Sequence, residues 1–460
     1  MTKHKKNKSL SVTLVSEQYA PDLSSTAFLF EELMIELRRQ GVAASVRTLT
    51  PGYHGYVKEE KIAWRETRKG VPVRRLPRLP FNRSNRAGEA LNWMWGTLCL
   101  AALALFSPRS APLLISTNPP MAHVVGALMK IIRGQRFIAL FYDLHPELSC
   151  AVGVLREGSL LDRVWRRVNR WALRHTDVAV CIGQYMEQVV KARYAHVKTA
   201  IIHNWCDPQV VRDMPKTESR FAAEHSLLDK FVVLFSGNMG WRQRLEILIE
   251  VAAELQDVPI RFVFIGEGVK KPKLQEMAQA RKLNNVLFFP YQPRHLMEHS
   301  LAAADLAVVS HEREAIGFGV PSKIYTYMAA GRAILGLASK PCELIDMVKA
   351  LQCGWVFDED HDKDAIVAQL RQLVQAPQPC LAAGRRARQA FEENFTLQLI
   401  AQQYLEVIQQ QCEIGPAPSL LQRWFRVRPQ MANPPARLAG TRHREDSQVL
   451  NATAKPLQEH

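Results

Sequence analysis

The sequence is short of acidic residues and of paired cysteines. Its 44 Asp and Glu stand against 60 Lys and Arg, a formal net charge of +16. That balance excludes an acidic, self-repelling chain and points to anionic company: nucleic acid, anionic lipid or phosphorylated substrates. The eight cysteines, Cys99, Cys150, Cys181, Cys206, Cys342, Cys353, Cys380 and Cys412, lie far apart with no Cys-x-x-Cys pair. Such spacing argues against zinc and against a disulfide framework, and fits a reducing compartment. Long hydrophobic runs are also missing. The most lipid-like stretch, Leu91 to Phe106, falls short of the roughly 20 apolar residues that span a bilayer, and Pro108 and Arg109 follow at once. It reads as a buried helix. Met1–Ser9 is a lysine-rich arm that runs straight into a strand-like segment without a long apolar core or cleavage site, so no signal peptide is expected.

What is present belongs to a globular protein. Hydrophobic residues make up 47% and charged residues 23% of the 460, enough chain for two or three domains. Short β-branched or apolar runs alternate with amphipathic helical patterns, the signature of parallel α/β layers. In the first half, strands are expected at Ser11–Ser16, Ala44–Thr48, Leu113–Ser116, Phe137–Phe141, Asp177–Ile182 and Thr199–Ile202, with a helix over Thr26–Arg39. In the second half they are expected at Phe231–Ser236, Ile260–Ile265, Val286–Phe289, Leu306–Val309 and Ala333–Leu337. The reading is two doubly wound α/β domains facing each other across a cleft suited to two substrates. The boundaries are a basic arm at 1–10, a first domain at 11–207, a linker at 208–230, a second domain at 231–395, a helix at 396–412 and a disordered tail at 413–460 rich in Pro, Arg and polar residues.

The richest motif is Gly317-Phe-Gly-Val-Pro-Ser-Lys-Ile-Tyr-Thr-Tyr-Met-Ala-Ala-Gly331. Gly317 and Gly319 let backbone approach a ligand, Ser322 is placed to cap the following helix, and Gly331 can close it in a left-handed conformation. Lys323 adds a full charge beside the positive end of that helix, a combination suited to a nucleotide phosphate. The alternative is a capped surface helix with an incidental lysine. Two further strand-to-helix turns share the pattern: Ser236-Gly-Asn-Met-Gly-Trp-Arg-Gln-Arg-Leu-Glu246, with Gly237, Gly240, Arg242, Gln243 and Arg244, and Ile265-Gly-Glu-Gly-Val-Lys270, the weaker signal. Tyr291, in Phe289-Pro-Tyr-Gln-Pro293, either stacks on a base or is a half-buried surface tyrosine. In the first half, Asp143, His145 and Glu147 follow a strand end, where side chains can face a cleft. Asp143 can steady a hydroxyl or a positive charge, and His145 can orient or accept a proton; a helix cap and a packed loop histidine are the plainer alternatives.

Taken in order, Gly-Asn-Met-Gly with Gln243 and Leu245, Gly-Glu-Gly, Ala302-Ala-Ala-Asp-Leu-Ala307, Pro-Ser-Lys and Met-Ala-Ala-Gly-Arg332 resemble a GT-B glycosyltransferase of family 4. The chain is similar to bacterial enzymes of O-antigen, capsule and exopolysaccharide assembly, of the fucosamine-transferase and colanic-acid type. The resemblance runs from about Val12 to Gln411 and includes Asp143-Leu-His-Pro-Glu147 and His203-Asn-Trp-Cys-Asp207. It implies a nucleotide-sugar donor on the second domain, an acceptor on the first, and retention at the anomeric carbon without a metal or other cofactor. The donor residues carried over are Gly237, Asn238, Gly240, Arg242, Gln243, Gly266, Glu267, Tyr291, Glu314, Gly319, Pro321, Ser322, Lys323, Tyr325 and Thr326. Asp143 and His145 are the catalytic candidates, and Glu17, Ser24, Ser25 and Glu147 the acceptor candidates. Asp358-Glu-Asp360 lies in a late acidic loop and is not a metal motif in the place a metal-dependent transferase would need one.

Several positions depart from the family pattern. The two glutamates many members carry before the Ala-x-Ala-Gly helix correspond to Phe318 and Thr326, leaving ribose recognition to Thr326, Tyr325 or Glu314. The Arg and Lys that commonly hold the diphosphate correspond to Asn238 and Gln243, so Arg242 or Arg244 substitutes. The Gly-Gly of the first loop is Ser24-Ser25, and the family's His before Asp is Tyr142. The helix from Ser159 to His175 interleaves Arg163, Arg166, Arg167, Arg170 and Arg174 with Trp and Leu. It lies either on anionic lipid or on a core with a solvated basic face; Met1–Ser9 and Leu420–Arg428 can add to the lipid contact. The expected protein is a hexosyl- or N-acetylhexosaminyl-transferase, cytoplasmic and peripheral on the inner face of the cytoplasmic membrane. It moves a sugar, UDP-linked, to a polyprenyl-diphosphate-linked or nascent glycan acceptor. The alternatives are a GT-B protein that binds nucleotide-sugar without transfer and a basic nucleic-acid-binding protein; no nucleic acid is expected as partner.

Overall fold

Among the described residues fourteen strands form two sheets, and their composition explains why. In the computed structural model, residues 10–52, 62–79, 81, 86–240, 243–311, 313–358, 360–420 and 422 are described. The first sheet comprises β1 (Ser11–Val15), β2 (Ala43–Leu49), β3 (Arg65–Arg68), β4 (Val71–Leu76), β5 (Leu113–Ser116), β6 (Phe137–Phe141), β7 (Val178–Cys181) and β8 (Thr199–Ile201). Its order is β3-β4-β2-β1-β5-β6-β7-β8, parallel throughout except for the β3–β4 pair. The second comprises β9 (Phe231–Ser236), β10 (Ile260–Ile265), β11 (Val286–Phe289), β12 (Leu306–Ser310), β13 (Ala333–Leu337) and β14 (Gly354–Phe357), ordered β11-β10-β9-β12-β13-β14. Parallel strands are covered by helices on both faces, so they appear as continuous apolar runs such as Phe231-Val-Val-Leu-Phe235. Strand order reverses between β1 and β5 and again between β9 and β12, and ligand crevices form at such switch points.

Two assigned boundaries need correction. The stretch 208–230, expected as a linker, buries Val211, Phe221, Ala222 and Leu227 in the core of the second lobe. The C-terminal helix runs Leu397–Ile414 and returns to the first lobe, where Leu397, Ile400, Ala401, Tyr404 and Ile408 complete that lobe's core. The first residues of the expected tail are tied down as well: the Ala417 amide donates to the Gly134 carbonyl at 2.7 Å and Arg136 Nε to the Gly415 carbonyl at 2.7 Å. The chain forms one compact unit through Leu420.

The helix expected within Leu91–Phe106 spans Arg86–Leu105, and only half of its surface is buried. Gly96, Leu100 and Ala104 face the sheet, whereas Leu91, Met94 and Leu98 are exposed. Among the described residues no helix is long and apolar enough to cross a membrane.

Candidate functional site

The site is built from four chain segments that leave strand ends. The first is the turn after β9. Gly237, with φ of 138°, has a backbone conformation that side-chain-bearing residues rarely adopt, and its amide donates to the Ile265 carbonyl at 2.9 Å. The Met239 amide donates to the Glu267 carbonyl at 2.8 Å, and the Gly240 amide to Gln243 Oε1 at 2.8 Å. The turn after β10 is thereby locked to the turn after β9. Closeness fixes the residue types: a Cβ on Gly266 would lie 2.1 Å from the Gly237 carbonyl oxygen and 3.3 Å from the Tyr291 ring.

Lys323 closes this cradle from the motif after β12. Its ammonium sits 3.6 Å from the centre of the Phe235 ring, and a Cβ on Gly237 would be 3.1 Å away from it. Nζ is sealed from solvent and has no hydrogen-bond partner among the described residues. Burial alone brings its pKa down to about 7. Among the described residues this buried amine lies beside a glycine turn with an aromatic face as its neighbour.

The same motif reaches the first lobe. The Phe318 carbonyl accepts from the Leu144 amide at 3.1 Å, Phe318 and Val320 pack against the first lobe's core, and a Cβ on Gly319 would lie 3.6 Å from Asp143 Oδ1. The structure thus brings together Gly237, Asn238, Gly240, Gln243, Gly266, Glu267, Tyr291 and Lys323, while Gly319, in the same motif as Pro321 and Lys323, lies beside Asp143 of the first lobe. Further contacts hold the lobes in register. Glu343 accepts the Gln184 amide at 2.9 Å, the Tyr185 hydroxyl donates to Asp346 at 2.8 Å, and Arg294 stacks over Phe28 at 4.4 Å.

Other expected residues stand elsewhere. Ser322 does not cap the helix: with φ of −64° and ψ of −23° it is already helical, and no side-chain cap bond forms. Tyr325 is fully buried against Phe395, ring centres 5.1 Å apart, with its hydroxyl 3.4 Å from His203 Nδ1. It is a core residue, not a ribose ligand. The Thr326 hydroxyl engages the Cys206 thiol. Glu147 is buried between Arg166 at 3.0 Å and Arg193 at 3.2 Å; burial holds its carboxyl above the ordinary value against the pull of both arginines. Glu17 is likewise buried in an ion pair with Arg78. Ser24 caps helix Ser25–Arg39, accepting from the Ala27 amide at 3.2 Å, and Ser25 is exposed. His145 stacks on Trp165 at 6.1 Å with Nδ1 2.8 Å from the Ser149 hydroxyl, a packed position within the first lobe. Arg244 ion-pairs with Asp360 at 3.6 Å. Arg242 lies outside the described residues, and Glu314 is described in its backbone alone.

Sequence reasoning passed over three residues that shape the cradle. The Tyr327 hydroxyl accepts the Ser236 amide at 2.9 Å and donates to its carbonyl at 3.1 Å, pinning the start of the first turn. Lys270 Nζ binds the Gln243 carbonyl at 2.7 Å, and Lys271 Nζ the Gly266 carbonyl at 3.0 Å. The available signal was spacing: Tyr327 is four residues from Lys323 and therefore on the same helix face.

Comparison with known proteins agrees with this geometry. Residues 216–390 match the model "Glycosyl transferases group 1" and residues 28–205 the model "Glycosyl transferase 4-like domain". The chain is 27% identical over 346 residues to a Pseudomonas aeruginosa protein named as a glycosyltransferase, WbjE, covering 75% of this chain and 84% of that protein. It is 25% identical over 409 residues to the Escherichia coli K12 protein WcaI, named for colanic acid biosynthesis glycosyl transfer, covering 85% and 99%. Among solved structures, sucrose-phosphate synthase from Thermosynechococcus elongatus superposes with a TM-score of 0.70 at 16% identity over 87% of this chain and 98% of that one. Anabaena HepE in complex with UDP-glucose gives 0.64 at 15% identity, over 87% and 100%. Both lobes fall under glycosyltransferase models, together over most of the chain, the fold is the GT-B pair of facing sheets, and the relatives bear that activity in their names: the chain belongs to the family 4 glycosyltransferases.

Proposed function

We propose that this chain transfers a sugar from a UDP-linked donor, with retention at the anomeric carbon, to a polyprenyl-diphosphate-linked or nascent glycan acceptor. It works from the inner face of the cytoplasmic membrane. The observation that carries the donor half is Lys323, an enclosed amine without a hydrogen-bond partner among the described residues, at the meeting of two glycine turns. A departing diphosphate needs its charge met, and a fixed cation in a water-poor site does this without reorganisation and without a metal ion. Tyr291, half exposed beside Gly266, offers a face to the base. Asp143 opposes the turn that carries Lys323 and stands where the acceptor hydroxyl must arrive; His145, stacked on Trp165, positions that loop. UDP-glucose bound in the structurally similar HepE supports the donor class. The deciding experiment is thermal unfolding with a panel of nucleotide-sugars. A UDP-sugar at about 100 times its Kd should add about 2.7 kcal/mol of stability by mass action; no stabilisation by any UDP-, GDP- or dTDP-sugar would sink the donor assignment.

A further inference from the structure

The helix over Arg86–Leu105 poses a problem that sugar transfer does not solve. From Ala90 to Phe106 the sequence contains no charged residue, so both faces of the helix are apolar. One face packs on the first-lobe sheet, with Gly96 against Leu49 and with Leu100 and Ala104 fully buried. The opposite face presents Leu91, Met94, Trp95, Leu98 and Leu105 at helical spacing, and Leu98 is 66% exposed; Phe106, at its end, is 72% exposed. A water-facing helix surface is ordinarily polar, and a continuous apolar stripe marks a docking surface.

Its flanks identify the occupant. On one side Trp93 meets Trp165 of helix Leu160–Leu173 edge-on at 6.2 Å. That neighbour exposes Leu160, Leu161, Val164 and Trp171 together with Arg163, Arg167, Arg170 and Arg174. Arg166 is not part of this surface; it pairs inward with Asp162 at 2.6 Å and with Glu147. On the other side the sheet register sets Arg65 opposite Arg74 and Arg74 opposite Arg47. Leu49, two residues beyond Arg47 on the same strand face, touches Gly96, so this row lies on the face the helix covers. Arg47 is buried, and burial followed by the nearby Arg74 brings its pKa down to about 10. Like charges directly opposite one another destabilise a sheet, and none of the three arginines has a carboxylate partner among the described residues. An apolar stripe flanked by exposed Arg163, Arg167, Arg170 and Arg174 on one side and by exposed Arg65 and half-buried Arg74 on the other, none with a carboxylate partner among the described residues, matches an anionic lipid surface; Arg47 lies beneath and is not part of it. A second copy of this chain would bring the same basic flanks and be repelled.

We propose that helix Arg86–Leu105 lies in the interfacial layer of an anionic bilayer, with the Leu91–Leu105 stripe among the acyl chains and the flanking arginines on the lipid phosphates. This deepens the membrane attachment proposed above by naming the inserting face, and rests on that reading only for the bilayer as the place of work. The test uses the full chain and sedimentation with vesicles of phosphatidylglycerol and phosphatidylcholine. Met94→Glu with Leu98→Glu should lower partitioning at low salt by at least about tenfold while leaving the unfolding temperature and UDP-glucose binding at wild-type values. Arg167→Gln with Arg170→Gln should weaken binding chiefly at low salt, because charge contacts are screened. A fraction of wild type that stays bound at high salt and is lost in the glutamate variant is the expected sign of insertion. Wild-type partitioning of the glutamate variant would overturn the proposal. So would a concentration-dependent dimer by light scattering that the glutamate changes dissolve, since a second copy would then cover the face. Vesicle binding in this pattern without any binding of UDP-glucose would support the membrane face and count against the donor reading alone.

Discussion

Lys323 offers the sharpest check on the donor site, through pH. In the empty site burial sets its pKa at about 7, whereas a diphosphate beside it favours the charged form. Donor binding therefore takes up a proton at pH above 7. Below that pH the amine is already charged and affinity should be flat. Above it the binding-competent fraction falls, so apparent Kd rises about fivefold between pH 7 and pH 8 and approaches tenfold per pH unit beyond that, until the bound-state pKa is reached. UDP-glucose is the better probe than UDP, because its diphosphate has no proton to lose in this range. Calorimetry in two buffers of different ionisation enthalpy reads the uptake directly, approaching one proton per donor near pH 8. Lys323→Met keeps the volume, places sulfur against the Phe235 ring and removes both effects. It should also weaken donor binding at pH 6 by roughly 1.5–3 kcal/mol, one to two decades.

Stability must move the opposite way. Unfolded lysine has a pKa of about 10.4, so between about 7 and about 10 the unfolded chain binds more protons and wild-type stability rises with pH. At pH 6 the folded protein carries an enclosed charge at a cost of up to about 4 kcal/mol, at 1.36 kcal/mol for each pH unit. Lys323→Met should be the more stable protein there. A donor affinity level from pH 6 to pH 8.5, without proton uptake, would show that Lys323 is not at the diphosphate.

Three further outcomes separate chemistry from architecture. Asp143→Asn should cut turnover by about two to four decades with UDP-glucose affinity within about a factor of two, because it acts at the acceptor side; equal losses in both would place it on the donor. Gly237→Ala forces a side chain into a backbone of φ 138° and against Lys323. It should cost about 1–3 kcal/mol in stability and weaken donor binding, read by denaturant unfolding and calorimetry. Glu147→Gln should lower stability by about 1–3 kcal/mol by leaving Arg193 and Arg166 short of a buried partner, with acceptor KM unchanged; a raised KM alone would restore Glu147 to the acceptor site.

The fold was legible wherever strands are buried on both faces. Phe231–Ser236, Ile260–Ile265 and Ala333–Leu337 are apolar runs between turn residues, and the expected and observed limits coincide. Arg65–Arg68 escaped notice because it is the edge strand, where charge is tolerated, and Val71–Leu76 beside it because Pro72, Arg74 and Arg75 interrupt the apolar run of a core strand. The apolar helix was read as wholly buried because hydrophobicity says that water is avoided and not what replaces it. One of its faces is filled by the sheet; the other is left exposed among the described residues.

The site divides along the same line. Glycines at turns announce themselves, since Gly237, Gly266, Gly317 and Gly331 all adopt φ values open to few other residues. Lys323 and Tyr327 share a helix face, and Tyr325, two residues from Lys323, turns about 200° away from it into the core. That distinction was available from spacing alone. What spacing could not supply is the fate of a charge: Glu17 and Glu147 look like cleft carboxylates until Arg78, Arg166 and Arg193 arrive from distant segments to neutralise them. Among the described residues Lys323 received no such partner, and it is this enclosed amine beside the glycine turns on which the donor reading proposed above rests.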